Sequence, residues 1–160
     1  MSVLTQSGRA VIAQSIAQRP IHLAWGTGGQ DWEDTPPAES VTTTALAHEV
    51  GRRSLFEQKF VVPDDAGEIV VPTGRFSVSD TPTGHLYLSF RFDFEEAANE
   101  VIRELAVFVG TQAKADVPAG KRYLLPSEVE DAGTLLLIEH IAPLYRNAAS
   151  RQTFEFVISF

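Results

Sequence analysis

A series of short apolar runs separated by turns is the feature that most limits what this chain can fold into. The clearest run is LYLSFRFDF (residues 86–94), in which Phe90, Phe92 and Phe94 alternate with polar residues. A period of two places the three phenylalanines on one face of a strand. Other short apolar runs of strand length occur at residues 21–25, 55–62, 69–71, 76–78, 105–109, 135–141 and 153–160.

Turn chemistry separates several of these runs. Proline, aspartate and glycine cluster in PDDAGE (63–68), PTG (72–74) and DTPTG (80–84). Such connections favour hairpins and antiparallel pairing, and the regular strand–helix alternation of a parallel sheet is missing. One helix is predicted at Thr5–Arg19, with Thr5 as its cap and Pro20 as its stop. The predicted fold class is therefore α+β, mainly antiparallel β and sandwich-like, with an N-terminal helix.

The length of 160 residues suits a single domain over residues 1–160. We expect a helix at residues 5–19, a loop at 26–40, and a β-rich body at 55–160 that contains a long loop at 111–130.

Two further segments carry weaker or unusual patterns. Residues 43–53 have a faint apolar stripe that predicts a short helix, although the threonines at 42–44 suit an extended chain equally well. The run LLLIEHI (135–141) is continuously apolar, which is typical of a strand buried on both faces. Pro143 is expected to end that strand.

Composition excludes several classes of protein. The chain has 21 acidic and 13 basic residues, a formal net charge of −8, so duplex nucleic acid and anionic membrane surfaces are poor partners. It has no cysteine, which excludes disulfides and thiolate metal sites and fits folding in a reducing cytoplasm. No export signal and no run long enough to span a bilayer is found.

The glycine-rich stretch HLAWGTGGQDW (22–32) raises the question of a phosphate-binding loop. Gly26 and Gly28 match the first two positions of a dinucleotide fingerprint, but Asp31 occupies the third. An aspartate would repel a pyrophosphate, and no convincing helix follows. The stretch is therefore interpreted as a structural turn.

Other chemical motifs are incomplete. AHEVGRR (47–53) contains the His-Glu of a zincin helix, but Arg52 stands where the second histidine is needed. The four histidines are scattered, and the nucleophile elbow of a hydrolase is missing. We predict no catalytic residue, no cofactor-binding residue and no metal ligand.

Aromatic residues are the candidates for contacts with other subunits. Trp25 and Trp32 flank the glycines, and Phe154, Phe156 and Phe160 share one face of the final run. Large rigid aromatic side chains carry much of the binding energy of protein interfaces. For the tryptophans, packing in the core is the competing interpretation.

Several stretches resemble a known family, in that family's order. LTQSGRAVIAQSIA (4–17) resembles the helix that opens phage tail-collar fibre proteins, and IHLAWGTGGQDW (21–32) resembles the glycine-bearing segment that follows it. ALAHEVGRR (45–53) resembles the family's Leu-x-x-Glu-x-x-Arg segment. EVIRELAVFVGT (100–111) is similar to its IREhGhF strand, where h is apolar, with Ala106 where glycine is common.

A narrower resemblance covers residues 63–94 together with TFEFVISF (153–160). These stretches are similar to a small stand-alone group of tail proteins from tailed phages and prophages. Full fibre proteins of the family continue into a long shaft, which this chain lacks. The resemblance therefore implies an adaptor or baseplate part rather than a receptor-binding fibre.

The predicted function is that of a structural virion component of a phage tail, in the baseplate or at the attachment of tail fibres. The expected partners are other copies of the chain and other tail, baseplate or fibre proteins, with no nucleic acid and no membrane insertion. It would be synthesised and assembled in the host cytoplasm and reside in the virion tail.

Two alternatives stay open. A carbohydrate-binding β-sandwich module would use Trp25 and Trp32 as stacking platforms, with Asp31, Glu33 and Asp34 as hydrogen-bonding groups. A small hydrolase would use Glu49, or Asp64 and Asp65, as acid–base groups. The sequence alone does not bring these carboxylates together.

Overall fold

Antiparallel β-strands form most of the protein in the computed structural model, which describes residues 1–160. No helix in it has the length and apolar character needed to cross a membrane. Two compact units are present: unit 1 comprises residues 1–19, 55–90 and 153–160, and unit 2 comprises residues 20–54 and 91–152. The elements are α1 (Gln6–Ala17), β1 (Ile21–Gly26), β2 (Glu49–Ser54), β3 (Glu57–Pro63), β4 (Ile69–Val71), β5 (Gly74–Val78), β6 (His85–Phe92), β7 (Val101–Val109), β8 (Gln112–Ala113), β9 (Tyr123–Leu124), β10 (Val129–Asp131), β11 (Thr134–Tyr145) and β12 (Gln152–Ser159).

The predicted N-terminal helix is confirmed, with slightly shorter bounds. The Thr5 hydroxyl accepts the backbone N–H of Gly8 at 3.1 Å, as expected of an N-cap. The buried position of the helix is Ala13, whereas Val11 is 64 % exposed. Val11 is therefore not on the face of the helix that packs.

Unit 1 is built on one five-stranded sheet in the order β12-β6-β3-β5-β4. The turn-separated runs predicted from sequence form its hairpin, since β4 and β5 pair antiparallel from Ile69↔Phe76 to Val71↔Gly74. One face of the sheet carries a core cluster of buried side chains. Its members are Val61, Val71, Phe76, Tyr87 and Val157.

Unit 2 is built on a second five-stranded sheet in the order β11-β7-β1-β2-β9. It also contains a separate two-stranded sheet formed by β8 and β10. Its central strands are β1 and β7, which pair antiparallel from Ile21↔Val109 to Gly26↔Glu104. Both are almost wholly buried. The predicted fold class, mainly antiparallel β with one N-terminal helix, is confirmed.

The helix predicted at residues 43–53 is wrong. Residues 49–54 form β2, which pairs with β1 so that Ala24 lies opposite Arg52 and Trp25 opposite Gly51. The Arg52 side chain is buried and donates to both oxygens of Glu49, at 2.7 and 2.8 Å. Pairing with a central strand overrides the weak local helical pattern.

The long loop predicted at residues 111–130 contains short elements of its own. These are β8, β9, a 3-10 turn at Pro126–Glu128 and the start of β10. β9 extends the main sheet of unit 2 by pairing with β2, with Arg53 opposite Tyr123. Strands of two or three residues carry too little pattern for periodicity to detect.

Two expectations for the apolar run 135–141 are corrected. β11 continues past Pro143 to Tyr145, and it is an outer strand that pairs only with β7. Proline lacks an N–H, but an edge strand leaves one side of its backbone without a ladder partner, so Pro143 is tolerated there. The side chains of Leu135–Ile138 are half-buried rather than enclosed on both faces.

Candidate contact site at the Gly–Trp loop

A long segment without helix or strand, residues 27–48, connects β1 to β2 in unit 2; we call it the Gly–Trp loop. Structureless connections of this length are uncommon in compact domains and are often functional. Its base is closed by the Thr27 N–H, which donates to the His48 carbonyl at 3.0 Å, and by a 2.8 Å hydrogen bond between the Thr27 hydroxyl and His48 Nδ1.

The main anchor of the loop is a buried carboxylate. Glu104, on β7, is 1 % exposed and accepts backbone N–H groups from both ends of the loop. The donors are His48 at 2.8 Å, Ala47 at 2.9 Å and Gly28 at 3.3 Å. A buried carboxylate is tolerated when such donors satisfy it. Glu104 therefore fixes the path of the chain at the glycine corner.

Trp32 fixes the middle of the loop. It is half-buried, and its ring lies so close to Gly28 and Gly29 that a Cβ on either glycine would overlap it. The ring of His140, on β11, is 4.5 Å from the Trp32 ring between centroids. Gly28 also has a φ of +77°, a conformation that favours glycine. The glycines are thus needed for a turn and for the close approach of the Trp32 ring.

Side chains of β7 and β11 hold the acidic part of the loop. Arg103 donates to the backbone carbonyls of Glu33 at 3.3 Å and Thr27 at 3.4 Å. His140 Nδ1 lies 2.6 Å from the Pro37 carbonyl oxygen. These contacts fix the path of the loop, and its acidic residues Asp31, Glu33 and Asp34 are exposed, whereas the Glu39 carboxylate accepts the His140 N–H.

Alanine substitutions at two glycines test whether Trp32 packing or backbone conformation stabilises the turn at Gly28. Gly28→Ala is expected to destabilise the protein by about 1 kcal/mol more than Gly120→Ala, because both positions have positive φ but only Gly28 lies against a ring. Urea unfolding measures the difference, and a red-shifted tryptophan emission should accompany Gly28→Ala alone. Equal losses in the two variants would contradict the packing explanation.

Trp25 lies in the interior of unit 2. It is 0 % exposed, stacks on Phe92 with ring centroids 3.6 Å apart, and donates its indole N–H to the Tyr123 hydroxyl at 3.1 Å. The Arg146 guanidinium lies 5.2 Å from its ring centroid. Trp25 therefore packs in the core of unit 2, the competing interpretation for the tryptophans, and its contact with another subunit stays a prediction.

The three phenylalanines predicted as contact residues lie in unit 1, on β12 or directly after it. Phe154, Phe156 and Phe160 are each half-buried, and Phe156 meets Phe90 edge-on with centroids 6.2 Å apart. The backbone of Phe160 is held by Gly84, whose carbonyl accepts its N–H at 2.9 Å, and by the Arg9 guanidinium. These aromatics keep part of their surface exposed.

Two of the three carboxylates considered for hydrolysis, Glu49 and Asp64, have structural partners, and Asp65 is an exposed turn residue. Glu49 is bound by Arg52, and Asp64 accepts the Ser77 hydroxyl at 2.6 Å and the Ala66 N–H at 2.9 Å within its turn. The Ser77 hydroxyl lowers the pKa of Asp64. A general acid needs the opposite shift. No group of three or more histidine and carboxylate side chains is placed to hold a metal ion.

His22 is a half-buried titratable group near the start of β1, opposite Ser54 of β2, and its Nδ1 atom is buried. Its Nδ1 has no hydrogen-bond partner. Burial, with a smaller effect of the Arg52 charge, lowers the pKa of His22 from 6.5 to about 4. The folded protein therefore keeps this imidazole neutral in mildly acidic solution.

The stability of the protein should fall in acid because of His22. Between pH 6.5 and 4 the unfolded chain protonates His22 while the folded chain does not, so the free energy of unfolding decreases as the pH falls through this range. The full effect is on the order of 3 kcal/mol. Urea unfolding at pH 7.5 and 4.5, compared with His22→Asn, isolates it from the carboxylates. An unchanged pH dependence in the variant would refute the assignment.

Sequence reasoning missed Glu104 and Arg146 as organising residues. A signal for Glu104 existed, because Ile102, Ala106 and Phe108 share its face at a period of two and all are buried. Arg146, 4 % exposed, donates to the carbonyls of Asp93 at 2.9 Å and Ser150 at 3.0 Å. No local pattern marks that role.

Comparison with known proteins shows the family of the chain. The model of the family described as "Baseplate wedge 3 tail fiber network component" matches residues 1–160. "Virion protein 3" of Enterococcus phage phiEF24C is 26 % identical over 155 residues, covering 88 % of this chain and 84 % of that protein. The resemblance to phage tail proteins is confirmed. The chain belongs to the baseplate wedge 3 tail fiber network component family, whose members are structural parts of the phage virion tail.

Proposed function

We propose that the chain is a non-catalytic attachment part of the baseplate, which links wedge and fibre components through contacts with other tail proteins and with copies of itself. The observation that carries the proposal is the family match over residues 1–160. It is supported by the Gly–Trp loop, whose base is hydrogen-bonded to Glu104 and whose residues Asp31, Glu33 and Asp34 are exposed. It is also supported by the half-exposed aromatics Trp32, Phe154, Phe156 and Phe160.

Labelling intact particles tests the location. A gold-binding tag on this chain, visualised by electron microscopy, should mark the baseplate at a symmetric set of positions. Label elsewhere on the particle, or none on particles that carry the tagged gene, would refute the proposal. Analytical ultracentrifugation of the purified chain tests self-contact separately, since a monomer at high concentration would remove copies of itself from the partners.

A carbohydrate-binding role is the second candidate, because a groove of about 440 Å³ lies beside Trp32. Gln30, His48 and Arg103 line it, and planar polar side chains next to an aromatic ring suit a sugar. One part of the Trp32 ring is already occupied by the glycine backbone. A Trp25→Phe variant makes Trp32 the sole tryptophan reporter, and unchanged emission across a broad glycan panel would eliminate this candidate.

A further inference from the structure

The outer edge of β11 is an open side of the unit 2 sheet. β11 pairs with β7 on one side and with no strand on the other. Residues Leu135–Ile138 make no backbone hydrogen bond outside the strand ladders. Farther along the strand, the His140 N–H is satisfied by the Glu39 carboxylate at 2.8 Å. The first half of β11 therefore presents an apolar strand edge, which proteins normally cover, charge or shorten.

A groove runs along this open stretch. It has a volume of about 370 Å³ and lies between Leu135–Ile138 on one side and residues 39–43 of the Gly–Trp loop on the other. Val41 at its rim is fully exposed. The leucine side chains on β11 are only half-buried, so a chain lying in the groove would contact apolar side chains while it paired with the strand.

The acidic side chains beside the groove favour a basic occupant. The Glu39 carboxylate accepts the N–H of His140, the residue next to Glu139, at 2.8 Å. Burial and, to a smaller extent, the charge of Glu39 raise the pKa of Glu139. Neither carboxylate belongs to an ion pair. Two copies paired through β11 would bring two such acidic pairs into one interface between chains of net charge −8. A basic segment would instead neutralise them.

We propose that this edge receives an extended segment of a different tail protein, which adds a strand to β11 and places a lysine or arginine against Glu39 and Glu139. The inference rests on the proposed function for the identity of the partner as a tail protein. The added strand would take its affinity from backbone hydrogen bonds and apolar contacts, and its register from the basic side chain.

A photo-crosslinker in the assembled particle tests the occupant. Benzoylphenylalanine at Leu136, in the groove, should crosslink to another tail protein through a basic, extended peptide identified by mass spectrometry. The same group at Val70, an exposed β4 position that is 58 % accessible, is the matched control. A crosslink only to a second copy, or none above the Val70 control, would overturn the proposal.

A peptide probe tests the chemistry on the purified full chain. An end-capped heptapeptide that alternates threonine and valine around a central lysine should shift the amide resonances of Leu136–Ile138. Its glutamate counterpart should bind at least about tenfold more weakly. Glu139→Lys should weaken the lysine peptide by a similar factor, whereas Glu130→Lys, at an exposed strand position, should not. Equal binding of the two peptides, or no effect of Glu139→Lys, would refute the inference.

The outcomes separate the two proposals. If the chain is found in the baseplate but Leu136 gives no partner crosslink, the docking inference fails and the proposed function stands. If the chain is absent from the particle, the proposed function fails. Binding of the basic peptide at β11 would then still support strand addition at this edge but would overturn a tail protein as its occupant.

Discussion

Glu104→Leu is expected to lower the free energy of unfolding by about 3 kcal/mol or more, because three backbone N–H groups at the base of the Gly–Trp loop lose a buried acceptor. Urea unfolding measures the loss. Amide exchange should locate it, with the N–H groups of Ala47 and His48 losing protection first. The carboxylate is 1 % exposed, so water cannot substitute without local opening.

Two controls accompany this prediction. Glu104→Gln keeps the size of the side chain but turns an amide donor toward backbone donors, so it should also destabilise, by less than leucine does. Glu100→Gln changes an exposed glutamate just before β7 and should stay within about 0.5 kcal/mol of the parent chain. If Glu104→Leu were as mild as Glu100→Gln, the anchoring role of the carboxylate would be wrong.

Trp25→Ala is expected to cost about 4 kcal/mol, since it removes the largest fully buried side chain of unit 2 and leaves Phe92 without its stacking partner. Trp25→Phe preserves much of the stacking and loses the indole N–H bonded to Tyr123, so about 1 kcal/mol is expected. Thermal or urea unfolding of both variants measures the two losses in the free energy of unfolding.

A substitution at Trp32 is the control for that prediction. Trp32→Phe should cost less than Trp25→Ala, because Trp32 is half-exposed and lies on a loop. A Trp25→Ala variant as stable as Trp32→Phe would mean that Trp25 is not the core residue described here. Since the chain has two tryptophans, each variant leaves a single fluorophore that reports on the other site.

Local pattern was enough to find most long strands and the helix. β4 was predicted at Ile69–Val71 with its observed bounds, because an apolar triplet between two turns offers few other structures. β2 was missed because nothing within residues 49–54 favours a strand. The buried Arg52 is satisfied by Glu49 and by the distant Thr111 and Ala132, which local pattern does not reveal. The edge position of β11 likewise depends on pairing that sequence periodicity does not encode.

The site was predictable only in outline. Three glycines and a tryptophan were enough to predict the turn. The side chains that contact it lie on strands more than 50 residues later, and they are Arg103, Glu104 and His140. The period of two in β7 could have marked Glu104 as a lone charge on an apolar face. Trp25 and Trp32 look alike in sequence, and only the tertiary structure separates a core ring from a half-exposed one.

The segmented construction of the two units has a consequence for how the protein folds. Unit 1 needs residues 153–160 to complete its sheet, yet residues 91–152, which form most of unit 2, lie between β6 and its neighbour β12. Contacts between such distant segments give a high contact order, which slows folding to milliseconds or longer. A nascent chain that has reached only residue 152 would expose the edge of β6, so that edge is the place where premature association is most expected during synthesis.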